Sequence, residues 1–188
     1  MNIMIASDIH GSAYYCKKMI SAFENEKPEK ILLLGDILYH GPRNDLPKDY
    51  APKEVSAMLN AIKGSIMCVR GNCDCEVDQM MLEFPIMAEY CMIYISGKVI
   101  FATHGHIFNT KNLPALSAGE ILLHGHTHIP AWETFGNKNI YINPGSVSIP
   151  KNDSRHSYIM LNDKCIIWKD LDGEIYHELE ISDVVNHK

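Results

Sequence analysis

Hydrophobic and polar positions along this chain fall into two textures. Up to about residue 84, short apolar runs alternate with stretches of helical spacing. Asn2 to Ala6, Ile31 to Leu34 and Ser65 to Val69 are near-continuous apolar runs, the pattern of strands covered on both faces. Between the first two, Ser12 to Glu26 places Ala13, Cys16, Ile20 and Phe23, with Met19 beside them, at helical spacing. Ser12 is a suitable N-cap, and Pro28 lies just past the predicted end. Pro52 to Lys63 predicts a second helix with Val55, Met58, Leu59 and Ile62 on one face, and Gly64 suits the position after its C-terminus. Glu76 to Leu82 predicts a short third helix. Strand, helix and strand with short connections is a βαβ unit, so these strands are expected to be parallel and to end at one edge.

From Pro85 the pattern is strand-rich. Cys91 to Ile95 and Lys98 to Thr103, split by Ser-Gly, predict a hairpin. Ile121 to Leu123 is another short run. Ala131 to Phe135 and Ile140 to Asn143, split by Gly-Asn-Lys-Asn, predict a second hairpin. Tyr158 to Leu161, Cys165 to Lys169 and Glu174 to Ile181 complete a meander. No internal repeat, low-complexity tract or linker interrupts the chain. The expectation is one domain over residues 1–188, an α/β fold of two stacked sheets with helices outside.

Composition adds limits. The 188 residues, 46% hydrophobic and 21% charged, suffice for a sizeable core. A net charge of −6 argues against a nucleic acid polymer or an anionic membrane as partner. The first residues lack the basic flank and apolar region of a secretory leader, so a cytoplasmic protein with six reduced cysteines is expected. Cys68, Cys91 and Cys165 sit in or beside apolar runs and read as small core residues.

The candidate chemistry lies just beyond the strands. Asp8 and His10 follow Asn2 to Ala6, Asp36 follows Ile31 to Leu34, Asn72 follows Ser65 to Val69, His104 follows Lys98 to Thr103, and His126 and His128 follow Ile121 to Leu123. Each pair alone has an ordinary reading: Asp8 as a turn initiator, His-x-His as polar loop. Together, five segments deliver seven oxygen or nitrogen donors to one expected edge. Seven exceed the four ligands of a structural Zn²⁺ site and suit two divalent ions sharing a bridging carboxylate and water. Two such ions about 3.5–4 Å apart acidify a bridging water and clamp both oxygens of an in-line displacement. Carboxylate, amide and imidazole donors allow Mn²⁺ without excluding Zn²⁺ or Ni²⁺. In the long loop after Asp36, His40, Arg43 and Asn44 offer groups that grip a phosphate, or else a solvated surface. His106 could orient substrate or a metal ligand. His124 reads as a satisfied core residue, and His156, His177 and His187 read as surface residues.

Asp-x-His, Gly-Asp, Gly-Asn, His-Gly-His and Gly-His-x-His, in this order, resemble the calcineurin-like metallophosphoesterase superfamily. Residues 35–44, 70–74 and 143–150 resemble in particular its small bacterial and archaeal YfcE-type phosphodiesterases. The resemblance covers essentially the whole chain and implies a four-layer α-β-β-α sandwich of two mixed sheets. It implies Asp8, His10, Asp36 and His128 around one metal, and Asp36, Asn72, His104 and His126 around the other. Mn²⁺ is the implied metal, with Zn²⁺, Fe or Ni²⁺ as alternatives. Asp36, Asn72, Cys73 and His104 then form the catalytic set. His40, Arg43, Asn44, Cys73 and His106 form the substrate-binding set. The implied reaction is hydrolysis of a small phosphodiester by a metal-bridging hydroxide. Many members carry His where this chain has Cys73, so a preference for activated leaving groups is expected. The competing reading is a non-catalytic scaffold of the same fold, as in the small subunit of retromer. Related small enzymes often form dimers, which makes a homodimer a further expectation.

Overall fold

The structure, a computed structural model, describes residues 1–182; His187 lies outside them. Three strands open the first sheet: β1 (Asn2–Ala6), β2 (Lys30–Leu33) and β3 (Ile66–Cys68), all parallel. The C-terminal meander, β9 (Ser157–Asn162), β10 (Cys165–Asp170) and β11 (Ile175–Glu180), joins antiparallel beside β1. The resulting order is β11-β10-β9-β1-β2-β3. The second sheet contains β4 (Tyr90–Ile95), β5 (Lys98–Thr103), β6 (Ile121–His124), β7 (Ala131–Phe135) and β8 (Asn139–Asn143) in the order β4-β5-β6-β8-β7. Its central three strands are parallel and its two edges antiparallel.

Strand alternation divides the apolar side chains between two layers. Ile3, Ile5, Leu32 and Leu34 face Ile100, Ala102, Ile121, Leu123 and Ile142 between the sheets. Met4, Ala6, Ile31 and Leu33 point the other way, onto two helices. These are α1 (Ala13–Glu26) and α2 (Pro52–Ala61). The Ser12 hydroxyl caps α1 by accepting from the Tyr15 N–H, and Lys27, in the left-handed region, ends it. Cys16, Met19 and Ala22 form its buried face, with Ile20 and Phe23 flanking.

Some details differ from expectation. The second helix stops at Ala61, and Gly64 sits in a 3₁₀ turn, Lys63–Ser65, whose Gly64 carbonyl accepts from Lys30. The two mixed sheets are as expected, and among the described residues the helices pack on the first of them. Phe101, Leu122 and Tyr141 on the outer face of the second are covered by Phe108, Leu116 and Phe135, and residues 104–120 contain no helix. His156 and His177 are not loose surface rings. His156 stacks on Tyr15 with centroids 3.9 Å apart, and His177 stacks on Trp132 at 3.8 Å. All six cysteines are free thiols; Cys16 and Cys68 are buried, while Cys91 and Cys165 are only half-buried.

Candidate metal centre

Every parallel strand ends at the same edge, and the chain turns sharply there. Asp8, His10, Asp36, His126 and His128 all have φ between 48° and 64°, the left-handed region that side chains other than glycine rarely adopt. Backbone hydrogen bonds between neighbouring turns hold this geometry: Asp8 N–H donates to the Gly35 carbonyl, His10 N–H to that of Asp36, and Gly11 N–H to that of Ile37. The loop 143–150 supports them from the other side. The hydroxyls of Ser146 and Ser148 both donate to the Asp8 carbonyl, at 2.9 and 3.0 Å. The glycines leave room for close approach: a Cβ at Gly125 would come 1.9 Å from Ser7 Oγ, and one at Gly71 would come 2.1 Å from Asp36 Oδ1.

The structure gathers all seven expected donors. Asp8, His10 and His128 form one group, and Asp36, His104 and His126 another, with ligand atoms within 4.8 Å of one another in each. Asp36 Oδ2 lies between the groups, 3.7 Å from His10 Nε2 and 3.4 Å from His104 Nε2. Asn72 Oδ1 is 3.1 Å from His104 Nε2, and His126 Nδ1 is also 3.1 Å from it.

Ring orientation tests whether a cation fits. His10, His104 and His128 each direct Nδ1 to a backbone carbonyl, of Tyr39, Leu34 and Ile149, at 2.8, 2.6 and 2.7 Å. Those Nδ1–H bonds fix the tautomer and leave the Nε2 lone pairs facing inward. There they converge with the Asn72 amide oxygen, two carboxylates and one another. Asp8 Oδ1 is buried without a hydrogen-bond partner, 3.3 Å from His128 Nε2. Lone pairs converging in a buried space are unfavourable unless a cation or protons sit among them, so these residues fit divalent metal ions.

The electrostatics agree. Burial raises the Asp8 and Asp36 carboxyls, but adjacent histidines outweigh it and hold both below the usual range: His10 and His128 for Asp8, His104 for Asp36. Burial would lower His104, yet Asp36 and the charge on Asp8 lift it to about 9. His126, away from the direct carboxylate contacts, is lowered to about 4 by burial and the charge on His104. Burial and Asp36 push the Cys73 thiol up to about 12.

A cavity of about 240 Å³ opens over the donors, lined also by Arg43, Asn44, Cys73 and Lys151. His40 does not line it. Its ring packs edge-on to Tyr39 and Tyr50, and its carbonyl accepts from the Asn44 amide at 2.8 Å. His106 faces a separate small cleft with Arg70 and Glu89, its ring 5.4 Å from that of His104. His124 stacks on Tyr141 and bonds through Nδ1 to the Gly125 carbonyl, but its buried Nε2 has no partner, so it is only half satisfied. Burial lowers its pKa to about 4, which keeps the ring neutral.

Sequence reasoning missed two residues. Asp74, buried, accepts from three backbone N–H groups: Asp36 and Gly71 on Oδ2 at 2.8 and 2.7 Å, and Ile37 on Oδ1 at 2.9 Å. It thereby ties the turn bearing Asp36 to the turn bearing Asn72. Burial raises its pKa against the pull of those donors. Lys151 brings a positive charge to the cavity from just beyond Pro150, where no local pattern marks it.

Two mixed sheets whose shared edge carries paired donor groups make a candidate site for divalent metals. Residues 1–164 match the calcineurin-like phosphoesterase superfamily domain, and the chain belongs to that family of hydrolases. It is 46% identical to phosphodiesterase YfcE of Escherichia coli (strain K12) over 162 residues, 86% of this chain and 88% of that protein. A solved structure of the E. coli YfcE phosphoesterase superposes with a TM-score of 0.91 at 43% identity, covering 96% of this chain and 100% of that one. Vps29 of Entamoeba histolytica, solved in complex with Zn²⁺, shares the fold at a TM-score of 0.61 and 19% identity, covering 96% and 99%. Among the described residues no helix is long and apolar enough to cross a membrane.

Proposed function

We propose that the protein is a dinuclear-metal-dependent phosphodiesterase acting on small diesters with activated leaving groups. The observation that carries the reading is the position of Asp36 Oδ2 between His10 and His104, where one carboxylate serves both donor groups. Asp8, His10, Asp36 and His128 would hold one ion; Asp36, Asn72, His104 and His126 would hold the other, with Mn²⁺ the preferred metal. When bound, two divalent ions supply an acidified water and positive charge for the phosphate. The protein's own groups do the rest. Carbonyls of Tyr39, Leu34 and Ile149 fix the histidine rings, so no reorganisation is needed as charge develops. Arg43, Asn44 and Lys151 line the cavity with donors suited to phosphate oxygens. Cys73 stands at the cavity wall as a weak acid, so the leaving oxygen departs with little proton assistance, which favours activated esters.

The same reading takes a small phosphodiester as partner, in a cytoplasmic enzyme that assembles as a homodimer and engages neither nucleic acid polymers nor membranes. The donor set together with the similarity to a phosphodiesterase favours the enzyme over a scaffold role. The test is hydrolysis of bis(p-nitrophenyl) phosphate with added Mn²⁺: chelator-sensitive turnover is expected, and no turnover above the metal-free control would favour the scaffold.

A further inference from the structure

Beside the donor cavity lies a second, mostly apolar cleft of about 370 Å³, whose lining includes Leu38, Tyr39, Tyr50, Val77 and Met81. Cys73 faces both cavities. The charged side chains lining the cleft are Lys53 and Asp78, one of each sign, so it offers no net charge to an ionic ligand. Tyr39, Val77 and Met81 are 41%, 66% and 44% exposed, a concentration of solvent-facing apolar side chains beside the site.

The cleft is built onto the metal donors. The Tyr39 carbonyl accepts from His10 Nδ1 at 2.8 Å. The Tyr50 ring lies against Gly11, where a Cβ would come 2.5 Å from Tyr50 Cε2. The Cys73 N–H donates to Asp36 Oδ1 at 2.8 Å. Three walls of the cleft are therefore positioned by the turns that carry His10 and Asp36. His40 sets its ring edge-on to both tyrosines, with centroids 4.8 and 5.2 Å away, and completes an aromatic cluster.

We propose that this cleft seats an aromatic arm of the phosphodiester whose phosphate lies among the donors, making aryl-bearing diesters the substrate class. The assignment rests on the phosphodiesterase reading above. Cys73 lines both cavities, so they adjoin at one side chain, and the proposed ligand would pass its phosphate-to-arm bond beside that thiol. The two tyrosines lining the cleft, which His40 braces, favour a flat ring, which aromatic pairs hold in offset or edge-to-face contact, over a flexible alkyl chain.

The experiment is calorimetric binding of methyl-, octyl- and 1-naphthylphosphonate to the Mn²⁺-loaded protein, beside Mn²⁺-dependent hydrolysis of bis(p-nitrophenyl) phosphate. All three ligands present the same phosphonate to the metals and differ only in the arm. The naphthyl compound is expected to bind about tenfold or more tighter than the methyl one, as burial of a ring's apolar surface implies, and tighter than the octyl one. Val77→Asp and Met81→Lys, at exposed positions, are expected to bring the naphthyl-to-methyl Kd ratio to within about twofold of unity. A wild-type ratio near one, or a ratio that survives both substitutions, overturns the cleft assignment. Octylphosphonate binding as tightly as naphthylphosphonate overturns its aromatic character. In each of these cases methylphosphonate binding and hydrolysis persist. If both are missing, the phosphodiesterase reading itself has failed and the cleft assignment falls with it.

Discussion

Asp74 reaches the seven donor residues only through the backbone N–H of Asp36, yet its removal should weaken the whole centre. Its carboxylate accepts from the N–H groups of Asp36, Ile37 and Gly71, all in buried surroundings. Substitution by alanine leaves three buried donors without partners, each costing about 1–3 kcal/mol. Relief from burying a carboxylate offsets part of that, so Asp74→Ala should destabilise the EDTA-treated protein by about 3–5 kcal/mol. Asp74→Asn should cost roughly half as much, because the amide oxygen can still serve Asp36 and Gly71 while its NH₂ faces the Ile37 N–H. Both substitutions should also loosen the metals, since partners of metal-bearing turns typically change affinity by about 10–100-fold. Urea unfolding followed by circular dichroism measures the first effect, and calorimetric Mn²⁺ titration the second. Stability of Asp74→Ala within about 1 kcal/mol of wild type would refute the clamp. A destabilised variant with unchanged Mn²⁺ affinity would refute its role in aligning the donors.

Elemental analysis of Mn²⁺-saturated protein should find two ions per chain, and Asp36→Asn should weaken both because it removes the shared carboxylate; one ion at saturation in the wild type would end the dinuclear proposal. Cys73→His should raise kcat/KM for diesters with poor leaving groups about tenfold or more relative to bis(p-nitrophenyl) phosphate, and an unchanged substrate profile would contradict the weak-acid argument. Acidification provides a separate check on the EDTA-treated protein. His124 is held to about 4 by burial, below its unfolded value of about 6.5. The folded state therefore binds fewer protons between those values, and stability falls as pH drops from about 6.5 to about 4, by at most about 3 kcal/mol. His104, raised to about 9, acts in the opposite sense: its contribution is full below about 6.5 and is lost as pH rises through about 9. His124→Phe keeps the stacking on Tyr141 and should flatten the acid limb of the urea midpoint, which an identical slope would disprove.

The donors were legible because each is among the first polar residues after a buried apolar run, and parallel strands send all such residues to one edge. The near-continuous apolar runs at Asn2–Ala6 and Lys30–Leu33 likewise marked strands covered on both faces, but a run without alternation does not say which side chains lie between the sheets. Asp74 was illegible for a physical reason. Its role is set by N–H groups on two turns distant in sequence, and within Cys73-Asp-Cys75 nothing local marks it. The cover on the outer face of the second sheet left no signal, because Phe108 and Leu116 lie in irregular chain, which has no periodicity to detect. His177 looked like a surface residue, being the middle of a polar edge strand, until Trp132 from the other sheet supplied its stacking partner.

Five of the seven donors stand where the backbone would be more comfortable with glycine, at a cost of roughly 1–2 kcal/mol each relative to an unstrained residue. The centre is thus a place where robustness has been surrendered locally and recovered elsewhere in the two cores. Replacing His126 by glycine would relieve that strain while removing a ring the proposed centre needs. If the proposed centre is the source of activity, relief of backbone strain and loss of function coincide at these five positions, and an inactive descendant of this fold should accumulate glycine there first.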